Sequence, residues 1–204
     1  MFIRYFATNR NRENLGRNIE RDKRIQLQSG GYHWLNMNKY MSHYLGTTDS
    51  SSFPKEVYVL DSKADVFEKF LNKESIKRIL ICVHGYNVEL HQAHTWFNIF
   101  CKTLTYTSRN QEPLKNRLIT DPEDAIQAKY LADNSNDLTA VVGFSWPSNG
   151  NLVSYQTDRT EALSSRTALA NMIGRIKALC PNKELILISH SMGNLLSCSM
   201  LASI

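Results

Sequence analysis

The chain has 204 residues, which suits one domain with a sizeable core, because two domains of half that size would each be poorly buried. Its composition, 42% hydrophobic and 21% charged, is ordinary for a globular protein and argues against extended disorder. No apolar run approaches the roughly 20 residues that cross a bilayer, and the N-terminus lacks the apolar stretch of a secretory signal, so we expect a cytoplasmic protein with no membrane span.

The basic residues are concentrated at the start of the chain. The first forty residues hold eight Lys and Arg against three acids, an excess equal to the net charge of +5 of the whole chain. A basic patch can bind nucleic acid with an affinity that falls steeply with salt. Here acidic residues interrupt the patch and no aromatic residues are spaced for base stacking, so we expect a solvated face and no nucleic-acid partner.

Residues 1–54 predict an irregular basic segment that packs on the rest of the chain, because turn-forming sequences divide it into short pieces. Residues 55–204 form the predicted core domain. This domain opens with a strand rich in β-branched and aromatic residues at 56–60, followed by a short amphipathic helix at 64–72.

Three further strands are predicted at 79–83, 138–146 and 184–190. Each carries a continuous apolar run, which is typical of parallel strands that are buried on both faces. Residues 107–137 show weak periodicity and contain two prolines. We therefore expect this stretch to form an excursion from the central layer, where substrate-facing insertions often lie.

Helices are predicted between these strands. Apolar residues at three- and four-residue steps place one helix at about 88–104 and another at about 158–180. Asp158 and Glu161 stand three apart, as in a capping box at a helix start. The alternation of strands and helices predicts an α/β fold with a parallel sheet and helices on both faces.

Ser191 stands between the last apolar strand and an apolar helix, with small residues two positions before and after it, Ser189 and Gly193. This is the pattern of a nucleophile elbow, in which a strained turn exposes the serine and small neighbours let strand and helix pass closely. Ser189 departs from the usual glycine. The alternative is that Ser191 only caps the helix.

An acyl-transfer serine also needs N–H donors for the oxyanion that develops in the transition state. One donor comes from the residue after the nucleophile and the other from the loop after an earlier strand. The sequence HGYN at residues 84–87 follows the strand at 79–83 and suits the second donor.

Four motifs occur in a characteristic order: ILICVHGYN, VVGFSWPSNG, YQTDRTEALSSRTAL and LISHSMGN. Together with the basic TNRN segment they resemble a bacterial branch of the α/β-hydrolase superfamily known only as a domain of unknown function. The resemblance covers about residues 55–204. It implies a three-layer αβα sandwich with a mostly parallel sheet, truncated after the nucleophile helix.

The resemblance also implies residue roles. Ser191 would be the nucleophile, and the backbone N–H groups of Tyr86 and Met192 would form the oxyanion hole. Four further residues would shape the surrounding loops: His84, Gly85, Asn87 and Gly193. Two residues at the end of the strand beside the site would line the pocket, although the second is equally well explained as core: Ser145 and Trp146.

No metal or other cofactor is expected. His91 and His94 lie one helical turn apart, but the glutamate of an H-E-x-x-H motif is missing, so a solvated or half-buried pair is the better interpretation. The four cysteines are widely spaced, form no C-x-x-C pair and are expected as reduced thiols: Cys82, Cys101, Cys180 and Cys198.

The acid and base of a catalytic triad are missing from the expected place. In this fold they follow the serine, yet only MGNLLSCSMLASI follows Ser191. Asp158 precedes the nucleophile and is explained as a cap. Three upstream histidines are poor substitutes: His33, His43 and His190. We therefore expect a shortened product, or an incomplete reading of a longer one, that is inactive by itself.

Two functions stay open at this level. The first is a serine hydrolase that acts on a small-molecule ester, thioester or amide through an acyl-enzyme. The second is a non-catalytic or vestigial hydrolase-like binding domain. Truncation after the nucleophile helix would also leave an apolar strand at an exposed sheet edge, from which self-association is expected.

Overall fold

A computed structural model of the chain describes residues 5–10, 31–37, 68–106, 118–119, 138–148 and 155–204. These residues contain six strands: β1 (Tyr5–Thr8), β2 (His33–Asn36), β3 (Ile76–Val83), β4 (Leu118–Ile119), β5 (Leu138–Ser145) and β6 (Glu184–Ser189). They also contain four helices with described ends: α1 (Leu90–Tyr106), α2 (Tyr155–Ser164), α3 (Arg166–Leu179) and α4 (Met192–Leu201). Residues 68–71 are helical as well.

The strands form one sheet in the order β2-β1-β5-β3-β6, with β4 also paired to β5. Strand β3 is parallel to both of its neighbours, and Ile81 lies opposite Val142 of β5 and Leu187 of β6. Strands β1 and β4 are parallel to β5, and only the described pairing of β2 with β1 is antiparallel. The predicted α/β fold with a mostly parallel sheet is therefore confirmed.

Side chains of β3 alternate between two cores on opposite faces of the sheet, as the pleat of a strand requires. Ile79 and Ile81 belong to a cluster with residues of α2, α3 and α4. Leu80 and Cys82 belong to a second cluster with residues of α1. Helices thus cover both faces, which confirms the three-layer sandwich and the expectation that β3 is buried on both sides.

The helix predicted at about 158–180 is two helices, and it begins earlier than predicted. Helix α2 starts at Tyr155 and ends at Ser164, and α3 starts at Arg166. Between them lies the buried Ser165, whose hydroxyl donates to the Glu161 carbonyl at 2.7 Å and accepts from the side-chain amide of Asn9 at 2.9 Å. Such bonds from serine to the backbone compete with regular helical geometry.

Part of the N-terminal segment belongs to the sheet itself. Phe6 of β1 lies opposite Gly143 of β5, and a Cβ at Gly143 would stand only 2.5 Å from the Phe6 ring. A glycine at this point therefore makes room for an aromatic residue of the first strand. The domain boundary at residue 54 stays a prediction.

Several predictions lie outside the described residues, among them the strand at 56–60, the start of the helix at 64–72 and most of the excursion at 107–137. Cys82, Cys180 and Cys198 form no disulfide. No helix in the described part of the chain is both long and apolar enough to span a membrane.

Candidate active site

Ser191 occupies a strained turn between β6 and α4. Its backbone angles are φ 51° and ψ −122°, and a positive φ at a residue with a side chain costs of order 1–3 kcal/mol. The side chain is exposed and makes no capping hydrogen bond to the helix. The Ser191 hydroxyl therefore does not cap α4, and the strained turn between strand and helix has the conformation that a nucleophile elbow requires.

Gly193 has the steric role that the sequence pattern predicts for it. A Cβ at Gly193 would lie 2.5 Å from the His84 carbonyl oxygen and 2.9 Å from that of Val83. The amide of His190 donates to the same Val83 carbonyl at 3.0 Å. Helix α4 consequently starts in direct contact with the end of β3, which only glycine permits.

The HGYN loop lies against this elbow. A Cβ at Gly85 would stand 3.0 Å from the Cβ of Ser191 and 2.7 Å from the Nδ1 atom of His190. Asn87, in the same loop, has a φ of 59°, a left-handed conformation that asparagine tolerates better than most residues. The loop and the serine therefore meet at the carboxyl edge of the sheet, as the elbow interpretation requires.

His84 is a buried, neutral part of the scaffold. Its Nε2 atom accepts from the Trp146 amide at 3.1 Å, so the ring proton sits on Nδ1 and is donated to the Gly85 carbonyl at 2.9 Å. The Ser145 hydroxyl donates to the same Nε2 atom at 3.0 Å. Burial, with a smaller contribution from the positive charge of Arg10, lowers the pKa of His84 to about 3.

Ser145 and Trp146 are both fully buried, and their part in lining a substrate pocket stays a prediction. The Trp146 indole N–H donates to the His84 carbonyl at 2.9 Å, and its ring stacks on the imidazole at 5.1 Å between centroids. Hydrogen bonds from these two residues, and the stacking of the Trp146 ring, therefore fix the orientation of His84. Trp146 is also part of the hydrophobic core.

Asp158 is not a helix cap, because α2 begins three residues before it. Its carboxylate is fully buried and points at the loops of the site. It accepts from the Ser148 hydroxyl at 2.6 Å and from the Asn87 amide at 3.4 Å. The Ser148 hydroxyl in turn accepts from the Val88 amide at 3.1 Å.

Arg10 was not singled out by the sequence, and it is almost completely buried beside the same loops. Its guanidinium donates through Nε to the Ser145 hydroxyl at 3.2 Å, through Nη1 to the Ser148 carbonyl at 3.2 Å and through Nη2 to the Val88 carbonyl at 3.1 Å. The TNRN segment that contributed to the family resemblance was the available signal for this residue.

A pocket of about 540 Å³ opens beside the elbow, between the HGYN loop and α1. Its walls are mainly apolar, and His190 forms one end of it, with its ring 5.2 Å from that of Trp96. The lining also includes Gly85 and Asn87 of the loop, together with Ile99 of the helix. The pocket therefore reaches the neighbourhood of Ser191.

His91 and His94 contact different residues. His91 lies 3.2 Å from a Glu89 carboxylate oxygen, and His94 is bonded to the Asn98 amide at 3.2 Å. These two side chains therefore do not form a joint pair. No described residue donates to or accepts from the Ser191 hydroxyl, and His43 lies outside the described residues.

The fold and the elbow together define a domain of the α/β-hydrolase type. Residues 60–204 match the model of a family described as an alpha/beta hydrolase of unknown function, DUF900, and the chain belongs to this family. The resemblance seen in the four motifs is therefore confirmed.

Among known proteins the chain is similar to the uncharacterized protein alr1448 of Nostoc sp. (strain PCC 7120), with 50% identity over 202 residues. The match covers 98% of this chain and 51% of the relative, so the chain spans about half the length of the relative that it matches. No solved structure matches the chain.

Proposed function

We propose that the protein is a serine hydrolase in which the Ser191 hydroxyl attacks the carbonyl of a small-molecule ester, thioester or amide. The bond to the leaving group breaks, an acyl-enzyme forms at Ser191, and water then releases the acid and restores the hydroxyl. The observation that carries the proposal is the exposed serine at a φ of 51°, in contact with the HGYN loop.

The backbone N–H groups of Tyr86 and Met192 are the proposed donors to the oxyanion. The amides of Gly193 and Asn194 already donate to the carbonyls of His190 and Ser191. The amide of Met192 belongs to the first turn of α4, where N–H groups have no partner within the helix. Backbone donors that are already in position before the reaction stabilise the developing charge without reorganisation.

The acid and base are proposed to lie outside the described residues. Without a base the serine hydroxyl stays protonated at neutral pH and is a weak nucleophile. His84 cannot serve, since both of its ring nitrogens are engaged and its pKa is lowered to about 3. The Nostoc relative is about twice as long as the match, which leaves ample sequence for both groups, and we expect the 204 residues alone to be inactive.

The apolar pocket beside the elbow is the proposed site for the substrate. This proposal is supported by the position of the pocket next to Gly85, which lies against Ser191, so that an acyl group bound there would be within reach of the hydroxyl. Cys82, Cys180 and Cys198 form no disulfide, which suits a reducing compartment, so the cytoplasm is the proposed location.

The proposal is tested by the turnover of a short-chain nitrophenyl ester by the natural protein, in a form that contains the acid and base as well as these 204 residues, and by two serine variants of that form. Ser191→Ala is expected to lower kcat by several orders of magnitude, as removal of a nucleophile does in other serine hydrolases. Ser164→Ala removes an exposed hydroxyl at the end of α2 and is expected to leave turnover unchanged. Equal turnover in all three proteins would favour the non-catalytic binding domain instead.

A further inference from the structure

Two buried charged residues hold the HGYN loop, and neither takes part in the proposed chemistry. We infer that Asp158 and Arg10 are positioning residues, which restrain the HGYN loop directly after Tyr86 and thereby help to keep the Tyr86 N–H where an oxyanion will develop. This inference rests on the proposed hydrolase function. The two side chains converge on Ser148, since Asp158 accepts from its hydroxyl and Arg10 donates to its carbonyl.

The contacts of Asp158 restrain the loop on the side that follows Tyr86. The Asn87 amide, which donates to the carboxylate at 3.4 Å, belongs to the same planar peptide unit as the Tyr86 carbonyl. The next amide, that of Val88, donates to the Ser148 hydroxyl at 3.1 Å. Two successive peptide units are thereby oriented by one carboxylate and the hydroxyl bound to it.

The contacts of Arg10 tie this loop to the end of β5. Its Nη2 group donates to the Val88 carbonyl, and its Nε and Nη1 groups donate to Ser145 and Ser148. Three acceptors in three directions require the rigid fork of a guanidinium, which the single ammonium group of lysine does not reproduce. A residue of the basic N-terminal segment is thus buried between the end of β5 and the HGYN loop.

The conformation of the loop explains why such support is needed. Asn87 has a φ of 59°, and strained conformations persist only where the surrounding structure enforces them. Apolar side chains would fill the same space at a lower desolvation cost than a buried carboxylate and a buried guanidinium. The two charged side chains next to the loop are explained by their hydrogen bonds, which orient the backbone groups of the loop.

The experiment measures two quantities in the natural protein and in matched variants. The first is the rate at which a fluorophosphonate probe labels Ser191. The second is the rate of hydrogen exchange at the amides of Asn87 and Val88. Asp158→Asn is paired with Glu184→Gln, which makes the same chemical change in an exposed ion pair with Arg78 at the opposite end of the sheet. Arg10→Lys is paired with Arg78→Lys.

Asp158→Asn and Arg10→Lys are expected to slow labelling by about 10- to 100-fold, less than the roughly 100- to 1,000-fold effect of losing one oxyanion donor outright, because the Tyr86 N–H is still present. Both variants are expected to speed exchange mainly within residues 84–88. The two control variants are expected to change neither rate. Ser148→Ala, which removes only a hydroxyl, provides a milder test if either charged variant fails to fold. Ser148→Thr keeps the hydroxyl and is expected to restore both rates.

Unchanged labelling in variants whose loop exchanges faster would overturn the inference, and so would faster exchange spread evenly over the sheet. If the natural protein is not labelled at Ser191 at all, the proposed hydrolase function fails. The exchange measurement then still decides whether Asp158 and Arg10 hold the loop.

Discussion

The two ends of the sheet differ in the exposure of their charged residues. At the amino end of β3 and β6, Arg78 and Glu184 form an ion pair of 3.1 Å whose side chains are 38% and 62% exposed. At the carboxyl end, Arg10 and Asp158 are 4% and 0% exposed. An exposed pair contributes about 0–1 kcal/mol, whereas a buried charge carries a desolvation cost that only good partners offset. The costly arrangement lies where the elbow and the loop meet.

The backbone shows the same asymmetry. Among the described residues other than glycine, Asn87 and Ser191 are the two with a positive φ, and both lie at the carboxyl end of the sheet. Strain of this kind is typical of functional sites. The buried charges and the backbone strain, which both lower the stability of the fold, thus lie at the same end of the sheet. This is the end that carries the proposed chemistry.

The largest expected effect is steric and comes from two glycine substitutions. Gly193→Ala would place a Cβ 2.5 Å from a backbone oxygen, whereas a Cβ at Gly174 in α3 meets nothing within 4 Å. We expect Gly193→Ala to lower the free energy of unfolding by about 2–3 kcal/mol and Gly174→Ala to raise it by about 0.5–1 kcal/mol. Urea unfolding measures both, and equal effects would contradict the close packing at the elbow.

A second effect concerns pH and His84. The folded-state pKa of about 3 lies below the ordinary value of 6.5, so the unfolded chain binds a proton as the pH falls and the folded chain does not. The stabilisation by neutral His84 is therefore present above pH 6.5 and is lost as the pH falls toward 3. Between pH 7 and pH 5 this loss amounts to about 2 kcal/mol.

Comparison with His84→Gln isolates this contribution, because glutamine does not titrate. The variant is expected to be less stable at pH 7 but to lose about 2 kcal/mol less than the natural protein between pH 7 and pH 5. Parallel stability curves for the two proteins over this range would show that His84 is not held neutral in the folded state.

The smallest expected effect is the release of strain at Ser191. Glycine adopts a positive φ readily, so we expect Ser191→Gly to raise the free energy of unfolding by about 1 kcal/mol, after allowance for the greater entropy of the unfolded chain. Ser164→Gly, at a regular helical position, is expected to lower it. A loss of stability in Ser191→Gly would contradict the idea that the elbow is strained.

The sequence predicts the elements whose signal is local. The apolar run that ends at Val83 and the small residues around Ser191 anticipate the buried central strand and the tight turn. Long-range polar contacts have no such signal. Arg10 and Ser145 are 135 positions apart in the chain, and nothing near Asp158 in the sequence distinguishes a helix cap from a carboxylate that reaches across to another loop.

The same limit applies at the break between α2 and α3, where the Ser165 hydroxyl accepts a hydrogen bond from Asn9, 156 positions away. It also explains why the sequence allows both a pocket and a core position for Trp146, since periodicity places a side chain on a face of a strand but not at a depth in the fold. Local pattern thus predicts the layers and the tight turn at Ser191, and tertiary contacts decide which residues support them.

The central claim is that Ser191 is the reactive serine, and covalent labelling tests it most directly. After reaction of the natural protein with a fluorophosphonate, mass spectrometry of its peptides identifies the modified residue. The account predicts one adduct, at Ser191, which is absent from Ser191→Ala and present in Ser164→Ala. An unmodified Ser191, or an adduct at a different serine, would contradict it.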